Sequence, residues 1–202
     1  NRPLGWSRTV NTIDTVDFYK LTPQSDGYLF DGRVEQFETD VATFRVKESA
    51  RTYTEENVRV MKSKHGPVVH NQSGQMIAMR IAGLDRPRML EQWFRMGSAS
   101  NLKEFQAALR MASIPMWNAC YADADGHTML VFNGLVPKRK TGDWAYWSKI
   151  VPGDTSETLW TAYLPFSELP KVIDPPSGFV QNANEPPWMT TRLGPGSSAV
   201  RR

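Results

Sequence analysis

With 24 Lys and Arg against 21 Asp and Glu in 202 residues, the chain carries a formal charge of only +3, too small and too evenly spread to require a polyanionic partner. Its 40% hydrophobic and 22% charged content excludes a disordered chain. The lone cysteine, Cys120, excludes an intrachain disulfide and a cysteine-rich zinc site, and no apolar run approaches the ~20 residues that span a bilayer.

The opening NRPLGWS lacks an initiator methionine and a signal-like run, which predicts a piece of a longer precursor. In YLFDGR, residues 28–33, Asp31-Gly32 is a hairpin signal. Ala42, Phe44 and Val46 alternate with Thr43, Arg45 and Lys47, the period of a half-buried strand, and Ile77, Met79 and Ile81 alternate again after the HNQSG turn. The period then lengthens. Met89, Leu90, Trp93 and Phe94 share one helix face, with Gly97 as its stop. Asn101 and Glu104 are spaced as a capping box ahead of the stripe Leu102, Phe105, Leu109 and Ala112, which Ile114-Pro115 ends. NACYA, the turn DADG and HTMLVF resume strand pairing, and beyond Gly134 the chain is irregular and rich in Pro and Trp. These elements predict an α+β fold. Strands are expected over most of residues 28–81 and 118–133, with two helices near 87–96 and 101–112. The whole of 1–202 is expected to be one unit, with a helical insertion at about 86–113.

Self-sufficient catalysis finds little support. His65, His70 and His127 are the only histidines, and His65, in KHGPVVH, reads as a turn or strand-end residue satisfied by backbone. No GxSxG elbow, HExxH helix or phosphate loop occurs. Asp123 and Asp125 begin like a calcium loop, but its twelfth position is Gly134 rather than glutamate, so a tight turn is expected. The basic cluster Lys138-Arg139-Lys140 lacks the interleaved aromatics of a single-strand binder, so no nucleic-acid partner is expected.

The run FVQNANEPPW, residues 179–188, sets two asparagines before a double proline that fixes the backbone. Asparagine suits turns; held rigidly, its amide can also be aimed at an oxygen. GWSRTVNTIDTVDFY, YLFDGR, HGPVV, NACYADADGHTMLVFNGLVPKR and LPFSELPKVIDPPSGFVQNAN follow one another in an order that resembles the penicillin amidase family across roughly residues 1–188. The spelling VQNAN followed by PW is similar to its homoserine-lactone and aculeacin acylase branch.

That resemblance implies an N-terminal-nucleophile hydrolase of αββα architecture, cut from an autoproteolytic precursor. Its members are acylases, with roles in quorum quenching and on antibiotics. A serine at the start of the β chain attacks an amide with its own α-amino group as base. This chain would be a middle portion of that β chain without the nucleophile. Its partners would be the α chain, the rest of the β chain and a small-molecule acyl amide, in the periplasm or secreted. The family's oxyanion donors map to the Asn184 side chain and the backbone N–H of Val10, which leaves Asn182 a structural role. The substrate pocket maps to Trp93, Met116, Trp117 and Asn118, with helix core as the other reading of Trp93. No cofactor is required; the candidate ion is a structural calcium at Asp14 and Asp17, with its other ligands elsewhere in the protein. Two other functions stand beside this one: a non-catalytic binding module on the same scaffold, and a surface carbohydrate binder using Trp144, Trp147 and Trp160.

Overall fold

The computed structural model describes residues 3–190, with the backbone alone at Thr190; the rest of the expected 1–202 unit lies outside the described residues. In chain order the elements are β1 (Leu4–Thr9), β2 (Val16–Leu21), β3 (Pro23–Gln24), β4 (Gly27–Phe30), β5 (Arg33–Gln36), β6 (Glu38–Lys47), β7 (Tyr53–Ser63), β8 (Gly66–Gln72), β9 (Gln75–Ile81), α1 (Met89–Ser98), α2 (Leu102–Leu109), β10 (Met116–Asp123), β11 (Thr128–Gly134), α3 (Trp144–Trp147), β12 (Ile150–Pro152), β13 (Lys171–Ile173) and α4 (Pro187–Thr190). The expected α+β class holds: the sheets are antiparallel but for one short parallel pairing, β12 with β2. Among the described residues no helix is long and apolar enough to cross a membrane.

The chain forms two compact units. The first takes the chain before Val16, Ala82–Arg139 and the chain from Thr161 on. Its sheet has the order β1-β10-β11-β13. Trp6 pairs with Tyr121, Arg8 with Ala119 and Thr9 with Asn118, so Trp6 and Arg8 face one side of the sheet and Thr9 and Asn118 the other. Helices α1 and α2 cover the first side, where Met96, Phe105, Leu109, Ala119, Tyr121, Met129 and Val131 form the core. Asn101 caps α2 as expected, its Oδ1 accepting the Glu104 N–H at 2.9 Å. Glu104 reaches back to the N–H of Ser100 rather than that of Asn101. Helix α1 runs one residue past Gly97, and α2 ends at Leu109, where the backbone begins a turn that leaves Ala112 at φ 47°.

The second unit, Val16–Ile81 with Lys140–Trp160, holds a sheet of order β12-β2-β9-β8-β7-β6 and a small one of order β3-β4-β5. The Asp31-Gly32 hairpin forms as expected, with both residues at positive φ, as a primed turn requires. His65 is buried at the β7–β8 turn, stacked on Tyr19 with ring centroids 4.1 Å apart, and its Nε2 meets the Gly153 carbonyl at 3.0 Å. The β6–β7 hairpin departs from expectation, because only Ala42 of its apolar row is half-buried and Phe44 is 53% exposed. Alternation tells which face of a strand is apolar, not whether anything covers it. Trp147 and Trp160 are buried and donate their indole N–H groups to Thr141 O and Asp17 Oδ2, so of the three tryptophans of the alternative carbohydrate surface Trp144 alone is exposed.

Candidate active site

The two predicted oxyanion donors meet at the end of β1. The N–H of Val10, one residue beyond the strand, donates to Asn184 Oδ1 at 2.9 Å across 174 positions of sequence. Asn184 has φ 72°, a left-handed backbone that asparagine tolerates and most residues do not. Its side chain is exposed, and its Nδ2 makes no hydrogen bond among the described residues. Turning this carboxamide would present Nδ2 beside the Val10 N–H, giving two N–H donors from different parts of the chain.

Asn182 points elsewhere. Its Oδ1 accepts the Thr9 hydroxyl at 2.5 Å, Asn118 Nδ2 at 3.0 Å and the Asn184 N–H at 2.9 Å, while its Nδ2 donates to Glu185 O at 3.1 Å. The Asn182–Asn184 contact is an Asx turn. The Glu185 carboxylate accepts the Ala183 N–H, and Pro187 opens α4 at the position where a missing N–H is harmless. Asn182 therefore folds the loop that carries Asn184.

Asn118, fully buried, stands opposite Thr9 and donates Nδ2 to Thr9 Oγ1 and to Val10 O, each at 3.1 Å, as well as to Asn182. Three further supports escaped the sequence reading. Thr9 joins β1 to the Asn182 loop. Buried Asn11 donates Nδ2 to Asn133 O at 2.8 Å and fixes the chain leaving Val10. Gln92, buried on α1, accepts the N–H groups of Ser113 and Ile114 at 2.7 and 2.9 Å and sets the entry to β10. Their only sequence signal is a polar residue within a local pattern that otherwise buries its position.

The sheet divides the predicted pocket residues. Trp93 and Trp117 meet at 5.0 Å between ring centroids on the helix-covered face, and the Arg8 guanidinium lies 3.7 Å from the Trp117 ring and 4.7 Å from that of Trp93. Trp6 joins them, and the three half-buried rings pack against the helix-side core, as the core reading of Trp93 expects. Met116 and Asn118 belong to the opposite face by strand alternation. On that face a cleft of about 470 Å³ runs along β1 and β10, floored by Gly5, Ser7, Cys120 and Ala122 and walled by Phe179 and Val180. Burial raises the pKa of the Cys120 thiol, so it is not an activated nucleophile.

Each aspartate of the candidate calcium pair has a protein partner. Asp14 accepts the buried Arg139 guanidinium at 2.9 Å, and Asp17 is buried against the Trp160 indole N–H at 2.6 Å. Among the described residues no group of three His, Cys, Asp or Glu could hold a metal ion. In the DADG turn, Asp123 Oδ1 is taken by the N–H groups of Asp125 and His127, as a tight turn requires.

Comparisons with known proteins agree in direction. The family model for penicillin amidase matches residues 1–198. Acyl-homoserine lactone acylase PvdQ of Pseudomonas savastanoi pv. phaseolicola is 29% identical over 96% of this chain and 28% of its own length. Penicillin G acylase of Escherichia coli is 30% identical over 93% of this chain and 22% of its own. A solved thermostable penicillin G acylase from Alcaligenes faecalis shares the fold, with a TM-score of 0.77 at 24% identity over 92% of this chain and 33% of that one. The chain thus spans 28% of the length of the first of these relatives and 22% of the second.

Proposed function

The chain belongs to the penicillin amidase family, and on that premise we propose that it supplies the oxyanion-binding part of an acylase that cleaves the linear amide of an N-acylated small molecule. The observation that carries this reading is the meeting of the Val10 N–H and the Asn184 carboxamide, held by a partly buried amide network at the end of β1. The substrate class is an acyl-homoserine lactone, a β-lactam or a lipopeptide side chain, and the nucleophile is a serine at the start of a β chain, outside this sequence. In that reaction the serine Oγ bonds to the amide carbon while its α-amino group takes the proton. The carbonyl π electrons move to oxygen, and the resulting oxyanion takes over the Val10 N–H from Asn184 Oδ1 as Asn184 turns to present Nδ2. When the intermediate collapses, the C–N bond breaks and the amine leaves with the proton. Water then releases the acyl group by the same sequence of steps.

Asn118 supports the donors, and Trp93 and Trp117 are assigned to the wall around the acyl group on the helix-covered face, with Met116 outside that wall on the opposite face. The protein works with an α chain and the remainder of a β chain, in the periplasm or outside the cell. No cofactor enters the chemistry. Two measurements test the reading. Mass and N-terminal sequencing of the mature complete protein should find a chain beginning with serine. The complete protein should hydrolyse at least one of an N-acyl-homoserine lactone, penicillin G or an acylated lipopeptide, while this chain alone should hydrolyse none above buffer. Binding without hydrolysis by the complete protein would replace the acylase with the binding module.

A further inference from the structure

We infer that the Thr9 hydroxyl is a positioning residue that sets the distance and angle between the two oxyanion donors, an inference that rests on the acylase reading above. Thr9 Oγ1 has one proton and sits between two amide groups. Asn118 Nδ2 donates to it at 3.1 Å, so its own proton goes to Asn182 Oδ1, 2.5 Å away. That direction fixes the Asn182 carboxamide with its oxygen toward β1, where it also accepts the Asn184 N–H, and with its nitrogen toward Glu185 O. Asn184 in turn reaches back to the N–H of Val10, the residue bonded to Thr9. The contacts therefore close a ring: Thr9 to Asn182, Asn182 to Asn184, Asn184 to Val10, and Val10 to Thr9 through the peptide bond. One donor lies just beyond the end of the strand and the other on a loop 174 positions away, and the Thr9 hydroxyl is the strand's side-chain grip on that loop.

Asn118 shows how strongly this arrangement is specified. Three oxygens, Thr9 Oγ1, Val10 O and Asn182 Oδ1, gather within 3.1 Å of its Nδ2. The amide meets them with its NH2 group at the expense of its own oxygen, which is buried without a hydrogen-bond partner. A buried acceptor left unsatisfied is costly and uncommon. Here the opposite orientation would set a fourth oxygen against the other three. The network thus delivers protons to where β1 and the Asn182 loop meet, and the strand pairing of Thr9 with Asn118 keeps them opposed.

A positioning role separates from a purely structural one by what it does to turnover. In the complete protein, Thr9→Val keeps the shape and removes the hydroxyl, and Thr9→Ser restores the hydroxyl alone. With an N-acyl-homoserine lactone and penicillin G as probes, Thr9→Val should lower kcat about tenfold to a hundredfold, as a misplacement of order 1 Å does. KM should be unchanged, and Thr9→Ser should recover most of the loss. Asn184→Gly, measured alongside, separates the two ideas. If Asn184→Gly loses turnover and Thr9→Val does not, the positioning role is wrong and the oxyanion assignment stands. If neither changes kcat, the oxyanion assignment fails and takes this inference with it. Should Thr9→Val fail to accumulate, Thr9→Ala carries the same comparison. A crystal structure of the complete Thr9→Val or Thr9→Ala protein gives a readout that needs no turnover. Asn184 should have left hydrogen-bonding range of the Val10 N–H, and an unchanged contact would overturn the inference.

Discussion

Replacing Asn184 by glycine is the cleanest perturbation of the proposed oxyanion site. The choice follows from the backbone: at φ 72° glycine is at ease, whereas alanine adds a Cβ to a left-handed conformation at a cost of about 1–2 kcal/mol. Asn184→Gly therefore removes the carboxamide with little strain. It leaves the N–H of Val10, a residue that is 58% exposed, where water can satisfy it, so the lost contact should cost about 1 kcal/mol of stability. The kinetic cost should be far larger. One lost oxyanion donor removes about 2.7–4 kcal/mol of transition-state stabilisation, a fall of about 10²–10³ in kcat. KM should move little, because the amide meets its charged partner only as the intermediate forms. Steady-state kinetics of the complete protein, with both variants corrected for active folded material, is the assay. Asn184→Ala should match Asn184→Gly in kcat and fall below it in Tm. Wild-type kcat in a folded Asn184→Gly protein would refute the assignment. A shared loss in KM alone would turn Asn184 into a ground-state binding residue.

Asn182→Ala should do more than remove a local bond: three donors lose their shared acceptor, so stability should fall by about 1–3 kcal/mol in denaturant titration, and turnover per folded molecule should fall as the Asn184 loop loosens. Buried His65 has its pKa pushed down from 6.5 to about 4, chiefly by desolvation, so it folds neutral. Its contribution is fully present above pH 6.5 and is lost as pH falls towards 4, by about 3 kcal/mol in all; His65→Gln should flatten that part of the stability–pH curve. Gly66→Ala would bring a Cβ to 2.2 Å from Met79 O at φ 135° and should cost at least about 3 kcal/mol, whereas Gly74→Ala, with open space around it, should cost about 1 kcal/mol of backbone strain. Equal Tm shifts for the two glycines would contradict the β7–β8 turn geometry.

What the sequence made legible was local. Asp31-Gly32 needs positive φ at both residues, and Asn101 with Glu104 satisfies neighbouring N–H groups, so each writes its structure into adjacent positions. The asparagines of the QNAN run were legible through family resemblance, and their division of labour follows from geometry: Asn184 reaches Val10, while Asn182 folds the loop. Thr9, Asn11 and Gln92 were not legible, because each acts on a partner far along the chain and looks locally like a polar residue on an ordinary strand, loop or helix. The separation of Trp117 from Asn118 was lost for a different reason. The family resemblance maps both to one pocket, whereas strand alternation sends them to opposite faces. Phe44 and Val46 show the limit of periodicity, since their pattern is sound and their face is exposed.

The amide ring at the end of β1 also bears on the order in which the chain folds. Hairpins such as β6–β7, β8–β9 and β10–β11 close over short loops, whereas β1 must find β10 more than a hundred positions away. The contacts from Thr9 to Asn182 and from Val10 to Asn184 span 173 and 174 positions. Loop-closure entropy makes such contacts late ones. The donors can come together only after the QNAN loop docks on a sheet whose β1–β10 pairing is already made. On the proposed acylase reading, formation of the site reports that the first unit has closed, and the proposed chemistry is withheld from partly folded chains.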